Sequence, residues 1–188
     1  MRWERLFAEL EAEADDLAGR DRDAEIADRT RAEVARTRWT DRVRANTGRT
    51  VRLRLLGADL VEGDVLQVGA DWLLVQAGAH DVLVPVHAVV GVEGVDAALG
   101  AAATPLPAAP GDAARVPTWA SAWRVLARDR ASVRVVRVGG STVHGVPVRV
   151  GADFVELDAG LSRSDPTSDR RVLVPYPAIT AAYTPRER

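Results

Sequence analysis

From position 51 apolar and polar side chains alternate, VRLRL, the two-residue period of a strand with one buried face. Gly57–Asp59 reads as a tight turn, and a second strand runs on through Gly63. A glycine inside a strand predicts a bulge or sharp bend. Gly69-Ala70-Asp71 predicts the next turn, with Trp72–Val75 a third strand, Val82–Val86 a fourth and Val89–Val92 a short fifth. Five short, bent strands in about fifty residues predict a small closed or nearly closed barrel. Helical periodicity appears elsewhere. Pro117 suits a first helical turn, after which Trp119, Trp123 and Leu126 share a face. Ala32, Ala35, Trp39 and Val43 form a similar stripe, and Trp3, Leu10 and Leu17 recur every seventh residue with Leu6 between them.

The strand pattern occurs twice. Val51–Gly78 aligns without a gap on Val133–Gly160, pairing Gly57 with Gly139, Gly63 with Gly145 and the turn VGAD at 68–71 with VGAD at 150–153. Trp72 faces Phe154, and VLVPVHAV at Val82–Val89 matches VLVPYPAI at Val172–Ile179 after an insertion near Leu161–Ser168. Duplication of one structural unit explains this order of glycines, aspartate and aromatic. The expected fold class is mainly β with helices: two tandem five-stranded barrels, each preceded by a helix, with an extended N-terminal helix. The expected organisation is a helical segment over 1–46, a first barrel over 47–94, an alanine, proline and glycine linker over 95–115, and a helix plus second barrel over 116–184. A tandem copy is one way to cover the open strand edges of a small barrel, so the two are expected to pack together.

A helix followed by a bent five-stranded barrel resembles the Sm-like, SH3-like small barrels of the Sm, LSm and Hfq proteins. The run Gly63, Val65, Val68 and Trp72 is similar to the first Sm signature, and Pro85–Val89 is similar to the Hfq segment around an RNA-contacting histidine, with His87 at that place. The chain also resembles uncharacterised actinobacterial proteins that begin MRW and carry two such modules. The resemblance spans about Arg31–Gly94 and Trp119–Tyr183, and it implies RNA binding. Three features depart from it. Leu73 and Val155 stand where Sm proteins carry a polar base-reading residue, the Arg-Gly of the second signature is missing, and Pro177 replaces His87 in the second copy.

Composition narrows the chemistry. The 188 residues include no cysteine, which excludes disulfides, thiolate metal sites and cysteine nucleophiles. The three histidines, His80, His87 and His144, have no metal-ligand spacing with one another or with carboxylates, so no metal or cofactor is expected. Gly139-Gly140 lacks the helix and Lys-Ser/Thr of a phosphate loop, and no serine sits in a nucleophile elbow. Asp71 and Asp153 are best explained by an aspartate bonding its own turn. The chain is therefore not expected to be an enzyme. A charged amino terminus and the lack of a long apolar run give a cytoplasmic protein with no membrane partner as the expectation.

Charge is split. Residues 1–28 carry ten acids against four arginines, net −6, and residues 29–54 carry nine arginines against Glu33 and Asp41, net +7. The arginine-rich segment admits three readings. Its stems rim the apolar stripe, its guanidinium groups contact phosphate, or the acidic half of one helix meets the basic half of another. Two functions follow. The leading one is a nucleic-acid-binding regulatory protein, RNA or DNA, using Arg29, Arg31, Arg36, Arg38, Arg42, Arg44 and Arg49, with Trp72 as a stacking platform and His87. The alternative is a protein–protein scaffold or homodimer acting through Trp3, Leu6, Leu10 and Leu17 of the N-terminal helix.

Overall fold

The computed structural model describes residues 25, 28, 31–32, 34–57, 59–96, 116–159 and 170–186. Trp3, Leu6, Leu10, Leu17 and Arg29, most of the linker and the Leu161–Ser168 insertion lie outside these. The chain divides into two compact units, Met1–Arg38 and Trp39–Arg188. In the first, the described residues from 25 to 36 are helical, and Arg31 pairs with Asp28. No described helix is long and apolar enough to cross a membrane.

The second unit is mainly β. Helix α1 (Trp39–Ala45) leads into β1 (Thr50–Leu55), β2 (Leu60–Val68), β3 (Trp72–Ala77), β4 (His80–Pro85), a 3-10 turn (Val86–Ala88) and β5 (Val89–Glu93). Helix α2 (Trp119–Arg128) leads into β6 (Val133–Arg137), β7 (Thr142–Val150), β8 (Phe154–Asp158), β9 (Arg171–Pro175), a second 3-10 turn (Tyr176–Ala178) and β10 (Ile179–Pro185). The continuous helical stripe expected from Ala32 to Val43 is interrupted at Thr37 and Arg38, and Trp39 is exposed rather than buried. Val43 alone anchors α1 in the core, because seven residues present only about two turns to it.

All ten strands belong to one antiparallel sheet, in the order β5-β1-β2-β3-β4-β10-β6-β7-β8-β9. The order repeats within each half, and so does the register. Val51 pairs with Gly63 as Val133 pairs with Gly145. The β2–β3 ladder slips between Val65 and Gln67, as the β7–β8 ladder slips between Pro147 and Arg149. These bulges fall at Leu66 and Val148, not at the mid-strand glycines where sequence reasoning put the distortion. The glycines serve a different need. A Cβ on Gly63 would run into the Gln76 carbonyl oxygen and come within 2.7 Å of the carbonyl carbon, and one on Gly145 would do the same at Asp158, 2.9 Å from its carbonyl carbon. Each strand therefore crosses its neighbour too closely for any side chain.

The halves meet at β4 and β10, where Leu83 pairs with Ala182 and Val82 with Tyr183. Two cores result, and each borrows from the other half. The first gathers Leu53, Val61, Leu73 and Val84 but includes Val136 and Ala181. The second gathers Trp119, Trp123, Leu157 and Ile179 but includes Trp72 and Leu83. Alternation explains which residues enter: β1 buries Val51, Leu53 and Leu55 and exposes Thr50, Arg52 and Arg54.

Candidate functional site

The joint between the halves is built on the first VGAD turn. Gly69 N–H donates to the Trp72 carbonyl (2.9 Å), closing the turn, and Val86 N–H donates to the Asp71 carbonyl (2.9 Å). The second turn closes identically, Gly151 N–H to Phe154 O (2.9 Å) and Tyr176 N–H to Asp153 O (2.8 Å). The turns differ in what sits on them. On the first, Ala70 N–H (3.1 Å) and the Trp72 indole N–H (2.9 Å) both donate to the Pro117 carbonyl. The Asp71 carboxylate accepts from Trp119 N–H at 2.6 Å, at the start of α2. Helices begin with unpaired N–H groups and a partial positive charge, and an aspartate answers both. Thr118 caps the same end by accepting from Ser121 N–H at 3.3 Å. Asp71 is thus structural, as expected, but it bonds the second half of the chain instead of its own turn. Asp153 is exposed, and among the described residues no helix begins on the second turn.

This asymmetry sets an expected result. In dilute solution Asp71→Ala should cost about 0.5–2 kcal/mol of stability, the usual loss for an acceptor at a helix start, whereas Asp153→Ala should stay within about 0.5 kcal/mol. Urea titrations of both variants check it, and equal losses would contradict the assignment.

Beside the first turn lies an open apolar groove of about 610 Å³. One wall comes from the first half, with Gln67, Trp72, Leu74 and Leu83. The other comes from α2 and β10, with Ser121, Ala122, Val125, Leu126 and Thr184. Also on α2, Trp119 meets Trp123 edge-on (centroids 5.7 Å apart) and Tyr176 likewise (6.3 Å). Burial pushes the Tyr176 phenol above its ordinary pKa, and its hydroxyl donates to the Gly151 carbonyl at 3.1 Å. Tyr183 is raised for the same reason, with the Arg134 guanidinium 3.9 Å above its ring.

Several of the residues expected to contact nucleic acid are committed to other contacts. Trp72 is only 4% exposed and its indole is spent on Pro117, so it is a packing residue of the joint and not a stacking platform. Arg44 pairs with buried Asp41 at 2.5 Å and Arg49 with Asp96 at 3.1 Å. Arg52 bridges Glu62 (3.0 Å) and Glu93 (3.4 Å), and Arg54 reaches Glu93 at 2.7 Å. Hydrogen bonds from Arg54 and then Arg52 hold the Glu93 carboxyl below the ordinary range, and Glu62 raises Arg52. Arg49, Arg52 and Arg54, at the C-terminal end of the arginine-rich stretch, are therefore paired with acids that the fold brings in from β2, β5 and just beyond. Arg31, Arg36, Arg38 and Arg42 are exposed. His87 stands exposed in the first 3-10 turn, His80 opens β4, and His144 sits in β7. Among the described residues no cluster of three or more histidine, aspartate or glutamate side chains could hold a metal ion.

Sequence reasoning missed Asn46, which is fully buried. Its amide donates to the Arg42 carbonyl (2.9 Å) and its oxygen accepts from Asp96 N–H (3.1 Å), tying the chain after β5 to the end of α1. A lone asparagine after an arginine-rich run gives no signal of that contact. No protein family model matches this chain, and no curated protein is significantly similar to it.

Proposed function

We propose that the chain is a non-enzymatic assembly module built from two Sm-like small-barrel repeats, with protein surface as its working ligand. The observation that carries this reading is the joint: β4 of one repeat and β10 of the other bond edge to edge, and side chains of each repeat complete the other's core. Edge-to-edge strand addition is a recurring mode of protein recognition, which supports this reading. The bent five-strand order of each half and its matched bulges support the Sm-like part of the proposal.

A second reading, nucleic-acid binding, rests on Trp39 and Arg42, which stand exposed beside one another on α1 and line the same shallow cleft. A photo-crosslinking amino acid in place of Leu173, an exposed apolar residue at the end of the sheet, separates the two in the native host. The assembly reading expects crosslinks to protein. Crosslinks to RNA or DNA alone, together with salt-sensitive binding of single-stranded RNA or duplex DNA by the purified chain, would replace it with the second.

A further inference from the structure

The groove between α2 and the first repeat, about 610 Å³, has a size common among small-molecule sites. Its character follows from the positions that line it. β3 and β4 contribute large apolar side chains, Trp72, Leu74 and Leu83, whereas α2 contributes the small Ser121 and Ala122. Helix and sheet are held together elsewhere. Trp119 and Trp123 sink into the second core, and contacts to Pro117 and Trp119 fasten the start of α2 to the first VGAD turn. The small residues of α2 therefore leave a space that the large residues of the sheet do not fill. Apolar surface stays open to solvent there: Val125 is 45% exposed, and Leu74 and Leu126 are half-buried.

Two properties restrict what can occupy this space. The first is charge. In a chain with 28% charged residues, none of the residues lining the groove is charged. A second cavity, about 520 Å³, is lined by Asp71 and His87 and lacks this character. Most polar side chains of the groove are already engaged. Trp72 Nε1–H donates to the Pro117 carbonyl (2.9 Å), Ser121 Oγ–H to the Thr118 carbonyl (2.6 Å) and Thr184 Oγ1–H to the Asp81 carbonyl (3.2 Å). What remains for a ligand is the exposed Gln67 amide and the Thr118 hydroxyl hydrogen. An ionised group drawn against this lining would lose its hydration without gaining a partner. The second property is backbone pairing. β3 is paired with β2 and β4, and β4 with β3 and β10. The sheet side of the groove thus has no free strand edge to which an extended peptide could add, and peptide N–H and C=O groups pressed onto it would go unpaired.

We propose that this groove binds a small uncharged amphiphile, a hydrocarbon or aromatic body with one neutral hydrogen-bonding group. The body lies against Trp72, Leu74, Leu83 and Val125, and the polar group meets Gln67. One wall belongs to each repeat, so the ligand bridges the joint. It binds only the folded chain and raises its stability as ligand concentration rises. The assembly reading neither requires this ligand nor falls with it.

The test titrates the purified full chain with N-phenylnaphthylamine, a neutral fluorophore that brightens on leaving water. Emission should rise and saturate at one probe per chain, and the melting temperature should climb with probe concentration. Decanol should displace the probe at least about tenfold more effectively than decanoate, the same chain with an ionised head. Val125→Glu, at an exposed helical position, should weaken probe binding roughly tenfold, with a circular dichroism spectrum matching the parent. Leu173→Glu, at an exposed apolar position on β9, should leave probe binding unchanged. No saturable binding, equal losses in the two variants, or equal displacement by decanol and decanoate would overturn the proposal. So would a full chain that is dimeric by light scattering and turned monomeric by Val125→Glu, since a second copy would then fill the groove.

Discussion

Gly63→Ala should unfold at a markedly lower temperature than the parent. The added methyl would enter the Gln76 carbonyl and come within 3.0 Å of the Ala77 Cα, so the obstacle is backbone and not the tip of a flexible side chain. Relief requires parting β2 from β3 beside Asp64↔Gln76, in the ladder that carries the first core. Overpacking costs about 1–3 kcal/mol where side chains can move. Here they cannot, and the expected loss is above about 3 kcal/mol, or roughly 6–12 °C for a chain of this size. Gly145→Ala should behave alike, since Asp158 and Ala159 crowd its position in the same way. Gly91→Ala is the control: its nearest contacts are the Arg54 side chain at 3.7 Å, ordinary van der Waals distance. Thermal unfolding followed by circular dichroism distinguishes them. A Gly63→Ala melting temperature as close to the parent as that of Gly91→Ala would refute the close crossing.

Trp123→Ala should lose about 3–5 kcal/mol, the cost of emptying a buried tryptophan site. Trp123 is fully buried in the second core and braces Trp119 edge-on. The damage should extend beyond the helix. Alpha 2 carries Pro117, Thr118 and Trp119 onto the first VGAD turn, so loosening it withdraws partners from Ala70, Asp71 and Trp72 in the other half. The variant should therefore unfold in one transition at lower urea, with parent-like m-value. Separate melting of a surviving first half would contradict the shared core. Exposed Val125 on the same helix supplies the contrast, with Val125→Ala within about 0.5 kcal/mol.

The duplication marks Gly63 and Gly145, and helical spacing marks Trp123, so here local sequence was informative. Alternation at 51–55 produced β1, the turn glycines delimited β2 and β3, and tryptophans at helical spacing produced α2. Strand length was less legible. β2 runs through Gly63 to Val68, because a mid-strand glycine can mark a close crossing as well as a bend. The stripe from Ala32 to Val43 predicts one helix, but the helical backbone breaks at Thr37 and Arg38, which side-chain periodicity does not register.

What the sequence determined by itself is the repeated unit: which residues alternate, where the chain turns, and that this unit occurs twice. Those properties depend on side-chain period and backbone freedom within a few residues. The tertiary structure alone decided that the halves share one sheet, that Trp72 packs instead of stacking, and that the arginines of β1 face Glu62 and Glu93. These depend on which strand edge meets which, over separations as long as that between Leu83 and Ala182. Leu83 and Leu173 sit in the same VLVP run, yet one is buried and the other exposed. Their surroundings in sequence are alike, and the difference arises because burial is a property of the partner strand, which no local pattern encodes.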